Sequence, residues 1–209
     1  MLQLYFAANT CALATHIALE EAGADYETVR IDFRSNEQRG PDYLAINPKG
    51  RVPSLVTERG VLTETPAMLA FVAQNFPAAA LAPLDDPFAF AQVQALNSYL
   101  CSTLHVAHAH RMRGYRWSDD EAAIAAMQRF APRSVGACFE LIEQHMLIGP
   151  WVMGGTYTIC DPYLFTLAQW IEGDGVDPAT IPRVMAHRQR VSERPATQRA
   201  LAAELAPAR

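Results

Sequence analysis

Residues 47–66 read Asn-Pro-Lys-Gly-Arg-Val-Pro-Ser-Leu-Val-Thr-Glu-Arg-Gly-Val-Leu-Thr-Glu-Thr-Pro. Asn47-Pro48-Lys49-Gly50 is a turn signal. Val52-Pro53 follows it, an X-Pro bond entering a strand and a candidate cis peptide. Ser54 to Thr57 and Val61 to Thr63, joined by Glu58-Arg59-Gly60, predict a hairpin. Thr65-Pro66 then predicts an N-cap with proline at the first helical position, opening a helix to about Gln74. Upstream, Leu2, Leu4 and Phe6 alternate with Gln3 and Tyr5, a period-2 strand. From Cys11 the period changes to that of a helix, carrying Leu13 and Ile17 and closed by Gly23. Val29, Ile31 and Phe33 predict a second strand, and Pro41 to Ile46 a short helix. The order βαβαββα implies a parallel pair plus an antiparallel hairpin, hence a mixed sheet with helices on it.

Downstream the texture changes. Residues 77–87, PAAALAPLDDP, are rich in proline and alanine, and we place a linker at 78–87 between a unit at 1–77 and an all-helical unit at 88–209. Asp86-Pro87 is an N-cap signal before Val93, Leu96, Leu100 and Leu104 at helical spacing. Ser118-x-x-Glu121 predicts a capping box for a helix containing Pro132, which should kink it. Thr158 to Asp161 is a further capping signal, and a last helix is expected after Ile181-Pro182. The fold class is therefore α/β plus all-α.

The chain has 209 residues, half of them hydrophobic, which excludes disorder, and no apolar run nears the roughly 18 residues of a membrane span. The first ten residues lack the features of a signal peptide. Seventeen basic and 22 acidic residues give a net charge of −5, an evenly spread mild acidity that argues against a nucleic-acid partner. A cytoplasmic protein without membrane attachment is expected. Four cysteines, with no C-x-x-C pair, fit reduced thiols, and Cys101, Cys138 and Cys160 read as core fillers.

Cys11 differs. It stands where the first strand meets the first helix, and a helix N-terminus stabilises a thiolate and lowers the thiol pKa. Plain packing would also explain a junction cysteine. Position 14 is alanine, so any redox chemistry at Cys11 needs an outside thiol. The backbone of Val52, beside Pro53, is free to pair with an extended ligand. Thr65 offers a hydroxyl and helix-start amides to a carboxylate, and Glu64 can hold an ammonium, so the pair suits the zwitterionic end of an amino acid; simple capping is the plainer explanation. Cys101, His105 and His108 form an i, i+4, i+7 row that could present metal ligands, although no fourth ligand is apparent.

The strand–Cys11 junction, NPKGRVPSL, LTETPAML and GGTYTICDPYLFTLAQW together resemble cytosolic glutathione S-transferases, most closely the bacterial beta class, over essentially the whole chain. The resemblance implies a thioredoxin-like N-terminal domain, an all-helical C-terminal domain and a homodimer. It implies that Cys11 can form a mixed disulfide with glutathione and that the Val52 backbone pairs with the cysteinyl part, with Pro53 cis. Glu64 and Thr65 would hold the γ-glutamyl end, and His105 would point toward the glutathione sulfur. Four departures stand out. Ala7-Ala8-Asn9 replaces a Ser-Pro-Gly-like turn that the family often has before the cysteine. Val106 replaces a lysine that commonly follows the histidine. Asn36 aligns with a lysine expected to meet the glycyl carboxylate, leaving Arg34 or Arg39 to substitute. An asparagine that close relatives contribute from the neighbouring subunit aligns with Ser98, beside Asn97.

Two functions follow. One is an enzyme that conjugates glutathione to a small hydrophobic electrophile, or exchanges it with disulfides through Cys11, with His105 as base or hydrogen-bond donor and no metal. Its electrophile would lie near Phe6 and the stretch from His105 to Tyr115. The other is a non-catalytic dimerising or protein-binding module on the same fold.

Overall fold

A computed structural model describes residues 1–206. Strand β1 (Leu2–Phe6) runs parallel to β2 (Tyr26–Arg30), with Leu2 opposite Tyr26 and Phe6 opposite Arg30. It also pairs antiparallel with β3 (Ser54–Thr57), which turns into β4 (Gly60–Thr63), giving the order β2-β1-β3-β4. The expected mixed sheet is present. The second strand begins and ends earlier than its alternation suggested. It stops at Arg30, and the chain then turns back on itself through bonds from Arg34 N–H to Asp32 Oδ1 and from Glu37 N–H to Asp32 O.

The two faces of β1 follow from its alternation. Leu4 and Phe6 are buried on the side of helix α1 (Ala12–Glu21), where the Phe6 ring lies 5.6 Å from that of His16. Tyr5, on the other side, meets Tyr43 of α2 (Pro41–Ile46) at 5.8 Å between ring centres. Every residue of α1 from Ala12 to Leu19 is buried, as expected of a helix apolar on all sides. With α2 and α3 (Thr65–Asn75) about the sheet, this is a thioredoxin-like arrangement, and the chain beyond it is helical.

The 78–87 stretch is not a free tether: Leu81 is buried, and its carbonyl accepts the Ile159 N–H at 2.8 Å. Helix α4 (Pro87–Tyr99) begins as read, with Asp86 Oδ1 accepting from Phe88 and Ala89. It passes through a π-helical turn at Leu100–Leu104 into α5 (His105–Arg113). Helix α6 (Glu121–Leu141) is capped by Asp120, not by the expected Ser118–Glu121 box. Asp120 Oδ1 accepts the Ala122 N–H, while the Ser118 hydroxyl is occupied by Asp120 N–H. The helix runs uninterrupted through Pro132.

Helix α7 (Cys160–Ala168) is buried along its whole length. Its start is the reciprocal cap read in Thr158–Asp161. The Thr158 hydroxyl accepts from Cys160 N–H, and the fully buried Asp161 carboxylate accepts from Thr158 N–H, Val152 N–H and His187. The region after Ile181 holds two helices, not one: α8 (Pro182–Ser192) and α9 (Pro195–Leu205), split before Pro195. Helix α9 packs on α1. Arg194 just ahead of it grips Glu21 with two guanidinium nitrogens at 2.5 and 2.7 Å.

Candidate functional site

The turn after α2 fixes the backbone that leads into Val52. Asn47 is buried, and its amide nitrogen donates to Arg51 O at 2.7 Å and to Ser54 Oγ at 3.1 Å. The Tyr43 hydroxyl donates to the same Arg51 carbonyl at 2.7 Å. Gly50 sits at φ +60°, where an added Cβ would lie 2.9 Å from the Gln38 carbonyl, so both the turn and its packing require glycine. The Val52–Pro53 peptide is cis. The Val52 N–H meets no acceptor among the described residues, and its carbonyl accepts from the Cys11 thiol at 3.7 Å.

Glu64, not Thr65, is the residue that precedes α3, and it takes φ +71°. That conformation is costly for a residue with a Cβ and is concentrated at functional sites. Thr65 is the first residue of the helix and is buried. Glu64 already holds an ammonium: Lys49 Nζ lies 2.5 Å from Glu64 Oε1 and 2.7 Å from Thr63 Oγ1.

Cys11 immediately precedes α1, whose first amides are partly served by Thr10; the Thr10 hydroxyl accepts from Ala12 N–H and donates to Ala7 O. The expected lowering of the thiol pKa does not hold. Burial pushes it up to about 11, against the smaller lowering effects of the Thr65 hydroxyl and the Arg113 charge. Desolvation of a thiolate at this depth outweighs the helix terminus, and Cys11 rests as a thiol that donates to Val52.

His105 opens α5 just after the π turn, where its N–H bonds the Leu100 carbonyl five residues back. Such turns re-register a helix and recur at functional sites. Burial first, and then the charges of His108, Arg113, Arg116 and Arg51, drive the His105 pKa down to about 3. It is neutral and is a hydrogen-bonding group in preference to a base. His108 stacks on Trp170 with ring centres 4.2 Å apart, and its Nδ1 lies 2.7 Å from Asp174, which also accepts from Arg111. Trp170 Nε1 donates to Asn9 Oδ1 at 3.2 Å, and the Asn9 N–H donates to Glu204 of α9 at 3.1 Å. Asn9 itself lies at φ +58°, so the loop before Cys11 is held from two sides.

These groups surround a single cavity of about 530 Å³. Cys11, Val52, Pro53, Glu64, Thr65 and His105, drawn from four separate stretches of chain, all line it. The six positions singled out in the sequence are thus brought together.

A model of the glutathione S-transferase N-terminal domain matches residues 2–74. Glutathione S-transferase GstA of Escherichia coli O157:H7 is 31% identical over 206 residues, covering 97% of this chain and 98% of that protein. The chain belongs to the cytosolic glutathione S-transferase family. A Sulfitobacter glutathione transferase homologue, crystallised with bound glutathione, superposes at a TM-score of 0.95 with 44% identity over 99% of both chains. A bacterial beta-class glutathione S-transferase from Sphingomonas chungbukensis superposes at 0.84 with 31% identity, over 97% of this chain and 98% of that one. The likeness to the beta class seen in the motifs therefore extends to the whole glutathione S-transferase fold.

Several expectations about the transferase site change. Phe6 is a core residue and does not reach the cavity. Cys101 is not a core filler: it is half-buried and lines the cavity with Cys11, whereas Cys138 and Cys160 are buried. Arg39 reaches the cavity and Arg34 does not. Asn97 is fully buried and presents nothing at the surface. The metal row loses His108 Nδ1 to Asp174, and among the described residues no three potential ligands converge. Arg113, within the stretch from His105 to Tyr115 expected near the electrophile, lines the cavity, whereas sequence reading missed Asn9, Trp170, Arg51 and Arg116. The run Arg111-Met112-Arg113-Gly114-Tyr115-Arg116, directly after the histidines, was the available signal for Arg116.

Proposed function

We propose that the protein is a glutathione transferase in which Cys11, Val52, Pro53, Glu64, Thr65 and His105 form the glutathione site. What supports this reading above all is that these six residues line one cavity in a chain of this family. Glutathione lies extended beside Val52, whose partnerless N–H meets a peptide carbonyl of the ligand. The γ-glutamyl carboxylate meets the Thr65 hydroxyl and the amides at the start of α3. Its ammonium shares Glu64 with Lys49. The thiol then falls between Cys11 and His105.

In conjugation the glutathione thiol gives its proton to solvent, and the thiolate attacks an electrophilic carbon. A C–S bond forms and the leaving group departs with its electron pair. The protonated Cys11 turns its S–H from the Val52 carbonyl to the sulfur, neutral His105 donates a second hydrogen bond to it, and Arg113 adds positive potential. In exchange, the Cys11 thiolate attacks a glutathione mixed disulfide, releasing the other thiolate; reduced glutathione then attacks the Cys11 adduct, giving oxidised glutathione and free Cys11. The raised thiol pKa makes this second chemistry slow at neutral pH and faster in base. The protein works in the cytoplasm as a homodimer, each chain divided into units at 1–77 and 88–209, with sedimentation at twice the chain mass as the check. No helix of the described residues is long and apolar enough to cross a membrane.

The test is intact mass after incubation with oxidised glutathione. One glutathione per chain, absent in Cys11→Ala, supports the assignment of the cysteine. An adduct at the same stoichiometry on Cys11→Ala overturns it.

A further inference from the structure

The cavity wall is cationic. Of the charged residues that line it, Arg39, Arg51, Arg113 and Arg116 are basic, and Glu64 is the one acid, already matched by Lys49. Among the described residues no carboxylate lies within 4.0 Å of any of these four guanidiniums, although six other cationic groups, histidines aside, do have such partners, in a protein of net charge −5. Mutual repulsion of this kind is tolerated where a bound anion relieves it.

Glutathione cannot use all of this charge. Its α-ammonium and α-carboxylate fall to Glu64 and Thr65, which leaves only its glycyl carboxylate for one of the four guanidiniums. Arg113 and Arg116 follow His105 along the chain and line the cavity with the aromatic side chains of Tyr115, Trp117 and Trp170. Tyr115 and Trp117 are 64% and 48% exposed, so their rings are open to a flat partner at the cavity.

We infer that the second substrate is an anion, a planar unsaturated or aromatic electrophile carrying a carboxylate, and that Arg113 and Arg116 bind that carboxylate. This deepens the reading above, on which it rests, and adds a carboxylate to the small hydrophobic electrophile expected from the sequence.

The test is calorimetric binding of three stable glutathione derivatives to the full-length protein. S-methylglutathione reads the glutathione site alone. The conjugate of glutathione with chlorodinitrobenzoic acid, and the same conjugate with its benzoate carboxyl methylated, differ only in the charge on the acceptor. Charge-assisted bonds to a guanidinium predict that the acid binds about tenfold or more tighter than the ester, and that raising salt narrows the gap. In the Arg113→Met, Arg116→Met double variant this preference should vanish. Binding of S-methylglutathione with equal or tighter binding of the ester overturns the anion assignment while the glutathione reading stands. A preference that survives in the double variant overturns the role of these two arginines. No binding of any derivative removes the glutathione reading, and the inference with it.

Discussion

At Cys11 two opposing effects meet, and burial wins. A helix terminus contributes on the order of 1 kcal/mol to an adjacent charge, whereas moving the thiol pKa from 9.0 to about 11 takes more than that. The sign for stability follows. A thiol whose folded pKa is raised favours the native state below pH 9.0, and that advantage is lost as pH rises through 9.0 toward about 11. Alkylation of Cys11 by iodoacetamide should therefore accelerate through pH 9 and keep rising toward about 11. A plateau below pH 8 would contradict the burial account. His105, driven to about 3, should show no histidine titration between pH 5 and 8 in its proton NMR signals. Composition and spacing marked both residues, but neither reveals a desolvation energy, since that depends on which side chains close over the site. This is why the chemistry of Cys11 was legible in outline and wrong in sign.

At the scale of elements, local signals succeeded where a side chain bonds its own helix and failed where a neighbour intervenes. Asp86 and Thr158–Asp161 cap as read because the partners lie within three residues. Ser118 lost its role to Asp120, which is two residues closer to the helix start. The π turn at Leu100–Leu104 leaves no mark in a pattern of apolar residues, because Leu100 and Leu104 keep the four-residue spacing of an ordinary helix and are both buried. Helix α9 was missed because its alanine-rich sequence reads as a continuation of α8 until Pro195 is given its weight. Asp161 gathers His187 of α8 and Val152 of the preceding loop onto the start of α7. Asp161→Ala strands these donors in the core, and denaturant unfolding should show a loss of about 3–5 kcal/mol. Asp161→Asn, which keeps part of the acceptor set, should lose less.

Across the whole molecule, the sheet and its parallel and antiparallel pairings could be read from the chain, while the docking of the helical part onto α1 could not, because it depends on long-range pairs. Arg194 shows the kind of pair that decides it. It binds Glu21 of α1 through two nitrogens and lies 3.9 Å from the centre of the Tyr157 ring. Arg194→Lys keeps the charge but loses the two-nitrogen geometry, and a partly buried pair of this kind should cost about 1–3 kcal/mol in thermal or denaturant unfolding. The same docking brings Glu204 to Asn9 and Trp170 to the edge of the cavity, so the site is completed by side chains more than a hundred residues from Cys11. The measurement that bears most directly on the account is calorimetric titration of the wild-type protein with reduced glutathione. Saturable binding of one glutathione per chain, weakened at least tenfold in Glu64→Ala through loss of the carboxylate that meets its ammonium, is the predicted result. Absence of heat and of any saturable binding would contradict it and leave the cavity without the ligand on which the account depends.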